Sequence, residues 1–503
     1  MLFVGGAEEI EEAKRKEFLS WRENEVYEEV QDTGQKSVSV RWVITSKEKE
    51  GKKICKARLV ARGFEERDEG MEKDAPTCAS ETFRLCLAIV LHKGWEAKTI
   101  DVKTAYLQGD RIERDVYVKP PAEAKCKGLW KLKKTIYGLK DAARAWYARV
   151  CGVVKELGGE RSSLEPTLFI WKDKTGNLKG VMCTHVDDFC FGGSKDFEVT
   201  VIGKLKEILK VGEIQEKSFS YIGVNVEQRE SEIFVDQEKY TESFKVPAVD
   251  QYKGMGKLGT EDMKVYRGIV GKMNWVAQHS RPDVSFNVSL SGRHFQTASG
   301  TNMVDLIKMV KGLKRKGGKL KFQKLSRGMA WEVFSDASLG NIDECFSQIG
   351  FIISLKDENG NRCPVYWKSV RARRVVRSAT EAEAIALNEA AEMTMYLNEL
   401  WREITGGEGL KITITTDSKT LESGLKSSTG VKSRRLRIEL AGIREMIDNE
   451  EIYVNWVFDK EQVADALTKE EGRKGLLRDY VFGEGKTKMG GKSDDSCSFF
   501  FPG

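Results

Sequence analysis

The stretch GVMCTHVDDFCFGG (residues 180–193) places two adjacent aspartates, Asp187 and Asp188, between apolar runs. With the preceding apolar segment TLFIWK (167–172), it is typical of a β-hairpin that carries two carboxylates near its tip. Neighbours in an extended strand point to opposite faces, so a turn must reorient one aspartate if both serve one site. Most isolated Asp-Asp pairs lie in surface loops. The apolar flanks instead favour a buried pair, which resists ionisation unless a cation is bound.

A third carboxylate, Asp101, ends the apolar strand of TIDVKTAYLQG (99–109). Phosphoryl transfer to the end of a nucleic acid needs two divalent cations held by carboxylates. Mg²⁺ prefers a few protein carboxylates and completes its shell with water and phosphate oxygens. Asp101, Asp187 and Asp188 are therefore candidate ligands for two Mg²⁺ ions, with Mn²⁺ as an alternative.

A second group of carboxylates follows a change of pattern after Met329, where strands and helices alternate as β-β-β-α-β-α-β-α. Four carboxylates on such a frame could support two-metal hydrolysis of RNA. They are Asp336 at the end of the strand EVFSDAS, Glu383 on the helix TEAEAIAL, Asp417 after ITITTD, and Asp465 at the start of the helix ADALTK. Glu381 competes with Glu383 for the glutamate position, and Asp465 alone could be a helix cap.

The composition indicates an intracellular globular protein of two to four domains. The chain has 503 residues, 40% of them hydrophobic and 32% charged. It contains no apolar run near the roughly 18 residues of a membrane span and no secretory signal, so no membrane partner is expected. The pattern leaves a cytoplasmic particle and the nucleus as alternatives. None of the 10 cysteines and 4 histidines has the spacing of a zinc site.

Basic residues are concentrated locally, because the net charge is only +6. Nucleic acid would therefore be bound by local rather than global positive charge. The clusters are Lys131, Lys133 and Lys134; the run from Lys311 to Lys321; Arg371, Arg373, Arg374 and Arg377; and Lys432, Arg434, Arg435 and Arg437. Each cluster taken singly is more often a solvated surface than a binding site.

Several blocks of sequence resemble, in order, the reverse transcriptase and attached ribonuclease H of copia-type long-terminal-repeat retrotransposons. They are KARLVARGF (56–64), IDVKTAYLQG (100–109), VYVKPP (116–121), KLKKTIYGLKDAARAWY (131–147), HVDD (185–188), SYIGVNV (220–226), YRGIVGKMNWVAQHSRPD (266–283), and then YWKSV, SATEAEAIAL and QVADALTK. The resemblance implies an α+β multidomain chain, with a right-hand polymerase followed by a ribonuclease H-like mixed α/β domain. The expected parts are a helical extension (1–35), fingers and palm (36–245), thumb or connection (246–327), the nuclease domain (328–480) and a disordered tail (481–503).

The same resemblance implies roles for individual residues. Asp101, Asp187 and Asp188 would hold the polymerase metals, and Asp336, Glu383, Asp417 and Asp465 the nuclease metals. Tyr106 would be an aromatic gate against a ribose 2′-hydroxyl, with a core aromatic as the alternative. Lys56, Arg58 and Arg62 are candidates for neutralising the incoming triphosphate, without a choice among them. Gly138 and Lys140 match the segment beneath the template base and the nucleotide.

Two departures from the family pattern affect this site. His185 stands where the family has Tyr, and Asp141-Ala142-Ala143-Arg144 stands where it has Gln-Ala-Pro-Arg. The expected activity is RNA-directed DNA synthesis with ribonuclease H cleavage, and the partners are an RNA template, a DNA primer, RNA–DNA hybrid and dNTPs. One alternative is a decayed or co-opted copy that only binds nucleic acid. Another is a host ribonuclease H with an accessory domain. Protease and integrase motifs are lacking, so we expect either a fragment of the usual polyprotein or a separately predicted reading frame.

Overall fold

The computed structural model describes residues 6–49, 52–66, 70–342, 346–427 and 433–484. It divides into two compact units. The first contains Met1–Ile222, Val226–Ser231 and Asn398–Gly409, and the second contains Gly223–Asn225, Glu232–Leu397 and Leu410–Gly503. Lys432 of the last basic cluster and the predicted tail beyond residue 484 lie outside the described residues.

From the N-terminus to Gln228, helices alternate with mostly short strands. In chain order they are α1 (Ala7–Glu23), β1 (Tyr27–Val30), β2 (Ser37–Val38), β3 (Val40–Lys49), β4 (Lys52–Ala61), α2 (Ser80–His92), β5 (Lys98–Asp101), β6 (Tyr117–Val118), β7 (Leu129–Leu132), α3 (Ala142–Glu156), β8 (Glu160–Arg161), β9 (Leu168–Lys172), β10 (Leu178–His185), β11 (Asp188–Gly193), α4 (Lys195–Phe197), α5 (Gly203–Ile208), β12 (Gln215–Glu216), β13 (Ser218–Tyr221) and β14 (Val224–Gln228).

A six-stranded antiparallel sheet forms the centre of the first unit, in the order β12-β5-β11-β10-β9-β8. Its apolar strands alternate their side chains, so that Phe189 and Phe191 join a buried cluster with Trp146 of α3. The sequence predicted one hairpin from the strands TLFIWK and GVMCTHVDDFCFGG, but the second stretch is itself two antiparallel strands, β10 and β11, joined by a turn at Val186–Asp187. Strand β5 pairs with the other edge of β11, so the sheet brings Asp101 and Asp188 side by side, next to the turn that holds Asp187.

The N-terminal 35 residues are not helical throughout. Helix α1 ends at Glu23, and β1 then pairs antiparallel with β7, because Tyr27 stacks on the buried Trp130 with ring centroids 4.0 Å apart. Helix α1 itself is anchored by the buried Glu17, whose carboxylate accepts hydrogen bonds from Trp21 Nε1 (3.2 Å) and the Leu59 backbone N–H (3.1 Å). This contact fixes α1 on the β3–β4 hairpin.

The second unit begins with a small strand pair and a group of helices and ends in a mixed sheet. Its elements are β15 (Glu232–Asp236), α6 (Glu238–Glu242), α7 (Thr260–His279), α8 (Ser285–Gly292), α9 (Gly300–Lys316), β16 (Leu320–Gln323), β17 (Ala330–Ile342), β18 (Phe346–Lys356), β19 (Arg362–Arg371), α10 (Ala379–Thr405, whose last turns belong to the first unit), β20 (Lys411–Thr416), α11 (Lys419–Lys426), α12 (Arg434–Asp448), β21 (Tyr453–Trp456) and α13 (Lys474–Phe482). Phe482 still lies in α13, inside the predicted tail.

The mixed sheet has the order β19-β18-β17-β20-β21, antiparallel from β19 to β17 and parallel from β17 to β21. Two helices, α11 and α12, precede β21 where the sequence pattern predicted one. Each begins at a serine whose hydroxyl accepts a backbone N–H three residues on, Ser418 from Leu421 and Ser433 from Leu436. These N-caps explain why the segment forms two helices. No helix among the described residues is long and apolar enough to cross a membrane.

A buried ion pair network lies in the second unit. The Asp283 carboxylate accepts hydrogen bonds from Arg281 Nε and Nη2, both at 2.8 Å, and from Arg478 Nη1 at 2.6 Å. Burial opposes ionisation of Asp283, but the two guanidinium groups outweigh it and lower the pKa of this carboxyl. The network therefore depends on the charge of Asp283.

We predict that Asp283→Asn lowers the free energy of unfolding by about 3–5 kcal/mol, because it leaves the buried Arg281 without its counter-charge and removes one of the two carboxylates that pair with Arg478. Asp305→Asn removes an exposed pair with Lys308 (3.3 Å) and should cost no more than about 1 kcal/mol. Urea denaturation of both variants checks the difference. Equal stabilities would contradict the structural role given to Asp283.

Candidate functional site

Asp101 and Asp188 lie on adjacent strands of the first unit, and Asp187 lies in the turn before β11. Asp188, the first residue of β11, is the direct cross-strand partner of Asp101 on β5 and of His185 on β10. Directly opposite residues of an antiparallel pair share a face of the sheet. The Asp101 and Asp188 side chains therefore start from the same face, with Asp101 exposed and Asp188 half-buried.

Asp187 is the second residue of the two-residue turn Val186–Asp187, which joins β10 to β11 just before Asp188. Val186 has a φ of +58°, which is rare for a β-branched residue and marks a strained backbone. Two hydrogen bonds of 2.7 Å hold the turn, from Trp146 Nε1 to the Val186 carbonyl and from the Val102 N–H to the Asp187 carbonyl. The turn thus supplies the reorientation that two adjacent aspartates need to serve one site.

The three side chains do not yet converge. Their carboxylate oxygens are not all within 4.8 Å of one another, a condition that only Asp336, Glu383 and Asp417 meet among the described residues. The backbone positions and the oxygen donors of Asp101, Asp187 and Asp188 suit divalent cations, which take carboxylate oxygens as ligands. Strand pairing brings Asp101 and Asp188 together, and the turn places Asp187 next to them.

Tyr106 interacts electrostatically with Asp187 and with Arg58. The Tyr106 ring is half-buried and makes an edge contact with Tyr137, with centroids 4.9 Å apart. Burial and the charge of Asp187 raise the pKa of Tyr106. The Arg58 guanidinium lies 5.2 Å from the centre of the Tyr137 ring, whereas Arg62 donates a hydrogen bond to Ser39 Oγ (3.3 Å). Of the two arginines proposed for the triphosphate, Arg58 is the one beside the aromatic pair.

His185, the departure from the family's Tyr, is a half-buried ring beside the turn. Burial lowers the pKa of His185, and the charge of Asp187 only partly opposes that effect. Its Nδ1 atom is buried and has no hydrogen-bond partner among the described residues. An uncharged ring therefore occupies the position.

Gly138 is required by close backbone packing. Its φ is +92°, and a Cβ added there would lie 2.1 Å from the Ala61 carbonyl oxygen. Gly63 packs in return, because its own Cβ would lie 2.1 Å from the Gly138 carbonyl oxygen. The segment that carries Gly138 and Lys140 is thus fixed against the end of β4.

An ionic network that the sequence did not indicate holds the same segment. The buried Glu66 carboxylate accepts hydrogen bonds from the Lys140 N–H (2.9 Å) and from Arg114 Nη1 (3.0 Å), and Lys140 Nζ donates to the Glu66 carbonyl (3.1 Å). Arg114 also binds Asp141 through two hydrogen bonds of 2.7 and 3.0 Å. Asp141, where the family has Gln, is therefore a structural anion. Lys140 is tied to Glu66 rather than extended toward solvent.

In the second unit, Asp336, Glu383 and Asp417 each offer an oxygen within 4.8 Å of the others. Asp336 lies inside the 13-residue strand β17 rather than at its end, and it is only 1% exposed. Glu383 projects from α10, and Asp417 follows the last residue of β20. Glu381 lies apart from this trio, accepting a hydrogen bond from the Arg377 N–H (3.3 Å).

The trio is electrostatically unfavourable without a cation. Burial and the neighbouring carboxylate Asp417 raise the pKa of Asp336 to about 7, although Lys469 opposes the shift. Burial and the charges of Asp336 and Asp417 raise the pKa of Glu383 well above its ordinary value. Asp336 Oδ1 and Glu383 Oε2 are buried without a hydrogen-bond partner. Unsatisfied oxygens in a repelling group are the donor set that fits a divalent cation.

Asp465 is placed differently from the prediction. It is buried in a 3₁₀ turn, Val463–Leu467, rather than at the start of an α-helix. Its carboxylate accepts hydrogen bonds from Lys469 Nζ (2.6 Å) and the Arg473 N–H (3.0 Å). Lys469 Nζ also lies 3.5 Å from Asp336 Oδ1 and so links Asp465 to the trio.

Thr468 and Lys469 were missed by sequence reasoning. Thr468 Oγ1 donates a hydrogen bond to Asp336 Oδ2. The spacing of Lys469 four residues after Asp465 is a signal that could have identified the ion pair. A threonine and a lysine therefore lie beside the carboxylate trio.

The basic clusters are partly neutralised within the structure. Lys319 and Lys321 pair with Asp236 (3.3 Å) and Glu232 (2.6 Å), and Arg374 pairs with Glu439 (2.5 Å). The Arg371 guanidinium lies 3.4 Å from the centre of the Phe346 ring. Ion pairing therefore reduces the net positive charge that these clusters offer to a phosphate backbone.

Known proteins resemble this chain at two levels, first over one domain and then over most of its length. Residues 24–248 match the family described as reverse transcriptase (RNA-dependent DNA polymerase). The chain is 25% identical over 464 residues to the retrovirus-related Pol polyprotein from transposon RE1 of Arabidopsis thaliana, covering 86% of this chain and 30% of the relative. It is 24% identical over 510 residues to that from transposon TNT 1-94 of Nicotiana tabacum, covering 92% and 36%.

The fold agrees with this relationship. The foamy viral protease-reverse transcriptase in complex with double-stranded DNA matches with a TM-score of 0.53 and 11% identity, over 89% of this chain and 70% of that one. Its complex with RNA/DNA hybrid matches with a TM-score of 0.51 and 11% identity, over 90% and 54%. Residues 24–248 are a reverse transcriptase domain. Similarity to copia-type Pol polyproteins extends over most of the chain, which spans about a third of their length.

We predict that Gly138→Ala lowers the free energy of unfolding by about 1–3 kcal/mol, because a Cβ strains the positive φ and meets the Ala61 carbonyl. Gly152→Ala is the control. It lies in α3 with open space around the added methyl, and it should stabilise by about 0.5–1 kcal/mol. Chemical denaturation distinguishes the two. A neutral Gly138→Ala would show that the packing against β4 is dispensable.

We predict that the cation-free protein loses stability as pH rises from about 4 toward 7. The pKa of Asp336 is raised to about 7, from about 3.9 in the unfolded chain. The protonated form therefore stabilises the fold below the unfolded pKa, and this contribution is lost as pH rises through the folded value. Unfolding in EDTA at pH 5 and 7.5 measures the trend. Asp336→Asn should flatten it, and Mg²⁺ should offset it at pH 7.5 by binding the native state.

Proposed function

We propose that this chain is an RNA-directed DNA polymerase that also cleaves RNA in RNA–DNA hybrids. The observation that carries the proposal is the pairing of Asp188 with Asp101, beside the strained turn that presents Asp187, within a reverse transcriptase domain. The relatives are Pol polyproteins, and the foamy viral enzyme of similar fold is known with DNA and with hybrid. These findings support an RNA template, a DNA primer, dNTPs and hybrid as ligands.

In the polymerase site, Asp101, Asp187 and Asp188 would hold two Mg²⁺ ions, or Mn²⁺ as an alternative. Such ions lower the charge barrier between the primer 3′ oxygen and the triphosphate. Arg58 supplies positive charge beside the aromatic pair and so suits the triphosphate oxygens. Tyr106, half-buried next to Asp187, is rigidly supported by Tyr137 and suits contact with the sugar of the incoming nucleotide. The primer oxygen bonds to the α-phosphorus, and pyrophosphate leaves.

In the nuclease site, Asp336, Glu383 and Asp417 would hold the divalent cations, with Asp465 beside them. Bound cations activate water for hydrolysis of a phosphodiester. Lys469 holds Asp465 and lies near Asp336, so it keeps the fourth carboxylate oriented toward the trio. The specific observation that favours this second activity is the pair of buried, unsatisfied oxygens on Asp336 and Glu383.

We predict that Asp187→Asn reduces primer extension on an RNA template with Mg²⁺ by a factor on the order of 100 or more, since it removes a ligand charge worth several kcal/mol. Gel-based extension with a labelled DNA primer measures it. Asp336→Asn, in the other unit, should extend the primer as well as the unchanged protein. If the unchanged protein makes no product above the Asp187→Asn level, the polymerase proposal fails and the non-enzymatic nucleic-acid-binding alternative gains support.

The reciprocal prediction concerns hybrid cleavage. Asp336→Asn should reduce cleavage of the RNA strand by a factor on the order of 100 or more, while Asp187→Asn cleaves normally. The assay uses a labelled RNA strand annealed to DNA, with the same RNA alone as the substrate control. Loss of both activities in both variants would indicate a general folding defect rather than two separate sites.

A further inference from the structure

Four residues at one end of the mixed sheet form a surface that the proposed catalytic roles do not use. Trp456 ends β21, and Phe458 follows two residues later with its ring edge-on to Trp456, centroids 4.7 Å apart at 67°. Lys419 Nζ lies 4.4 Å from the Trp456 ring centre, and Lys460 Nζ lies 5.5 Å from the Phe458 ring centre. We call these four residues the aromatic platform.

The aromatic platform adjoins the nuclease carboxylates. Trp456 Nε1 donates a hydrogen bond of 2.9 Å to the backbone carbonyl of Asp417, whose carboxylate belongs to the trio. Lys419 lies two residues after Asp417 at the start of α11. The aromatic platform is therefore held directly beside the carboxylates where a phosphodiester would be cut.

Packing of the fold does not account for Phe458. Its ring is 57% exposed, although it sits beside the indole that the Asp417 hydrogen bond anchors. Burying a phenyl ring is worth about 1.5–3 kcal/mol, so leaving one exposed at a rigid position forgoes that stabilisation. The two ammonium groups next to the rings are exposed as well. Exposed aromatic rings flanked by cations complement a nucleic acid, whose sugars and bases lie between phosphates.

We propose that the aromatic platform binds the RNA strand of a hybrid, at the nucleotides beside the phosphodiester held by the nuclease carboxylates. Phe458 packs against the sugar and base edge, Trp456 supports Phe458, and Lys419 and Lys460 pair with the adjacent phosphates. The inference rests on the proposed nuclease function and adds to it the surface that sets where the RNA strand lies. Charge complementarity selects the occupant, because both cations face outward beside the rings.

A matched control lies at the other end of β21. Lys411 Nζ lies 4.2 Å from the Tyr453 ring centre, and Tyr453 is 41% exposed, so this pair has the same chemistry as the platform. Tyr453 and Trp456 are three residue steps apart along the strand, about 10 Å. Tyr453 and Lys411 lie at the starts of their parallel strands, whereas Trp456 and Asp417 lie at the ends.

The first experiment compares hybrid cleavage by the full chain and by Phe458→Ala and Tyr453→Ala. We expect Phe458→Ala to raise the KM for hybrid about fivefold or more, within the range of an aromatic contact to nucleic acid, with kcat changed less than twofold. Tyr453→Ala should leave both constants unchanged. Lys460→Ala should lower the salt dependence of kcat/KM by about one ion, and Lys411→Ala should not. Unchanged constants in Phe458→Ala, or equal losses in Tyr453→Ala, would overturn the inference.

The second experiment locates the contact directly in the Asp336→Asn background, which keeps the hybrid intact. Hybrids carrying 4-thiouridine at single positions of the RNA strand are irradiated, and the crosslinked peptide is identified by mass spectrometry. Crosslinks to residues 456–460 from positions beside the cleavage site support the platform, and Phe458→Ala should reduce them. Crosslinks elsewhere, with RNA still cleaved by the unchanged protein, overturn the platform alone. Absence of both cleavage and crosslinks overturns the nuclease proposal together with it.

Discussion

Like charges held close together repel, and both candidate sites are built on that constraint. The repulsion is strongest in the trio of Asp336, Glu383 and Asp417, because Asp336 and Glu383 are nearly inaccessible to solvent. The polymerase aspartates meet it more mildly. Asp101 is exposed, Asp187 and Asp188 are half-buried, and their side chains do not converge. A site that stays open to water can keep its carboxylates charged and close around cations only when substrate brings them.

In the buried site, a lysine supplies a positive charge beside the carboxylates. Lys469 contributes a cation 2.6 Å from Asp465 and 3.5 Å from Asp336, and these carboxylates in turn raise the pKa of the lysine against the effect of burial. One ammonium does not satisfy every oxygen, since Asp336 Oδ1 and Glu383 Oε2 still lack hydrogen bonds. Lys469 thus offsets only part of the repulsion among these buried carboxylates.

The sequence alone predicted the features that depend on a local pattern of residues. Apolar runs predicted strands within residues 167–193, although as two strands rather than the three observed, and they also predicted the strand that ends in Asp101. The capping serines at 418 and 433 carried a local signal for two helices, although the pattern was interpreted as one. The Arg114 contacts with Asp141 and Glu66 span 27 and 48 residues, and nothing in a single sequence pairs such charges. The positive φ of Val186 was also beyond prediction, because local sterics disfavour it for a β-branched residue.

The departures from the family pattern keep the physical roles of the residues they replace. Burial keeps His185 uncharged, so an aromatic ring without formal charge still flanks the turn. Asp141 replaces an amide by a carboxylate, and Arg114 neutralises it with two hydrogen bonds. Proline is favoured in the first turn of a helix but is not required there, and α3 begins at Ala142 without it. The charge that one departure introduces is therefore paired within the fold, whereas the ring that the other introduces keeps a buried nitrogen, His185 Nδ1, without a hydrogen-bond partner among the described residues.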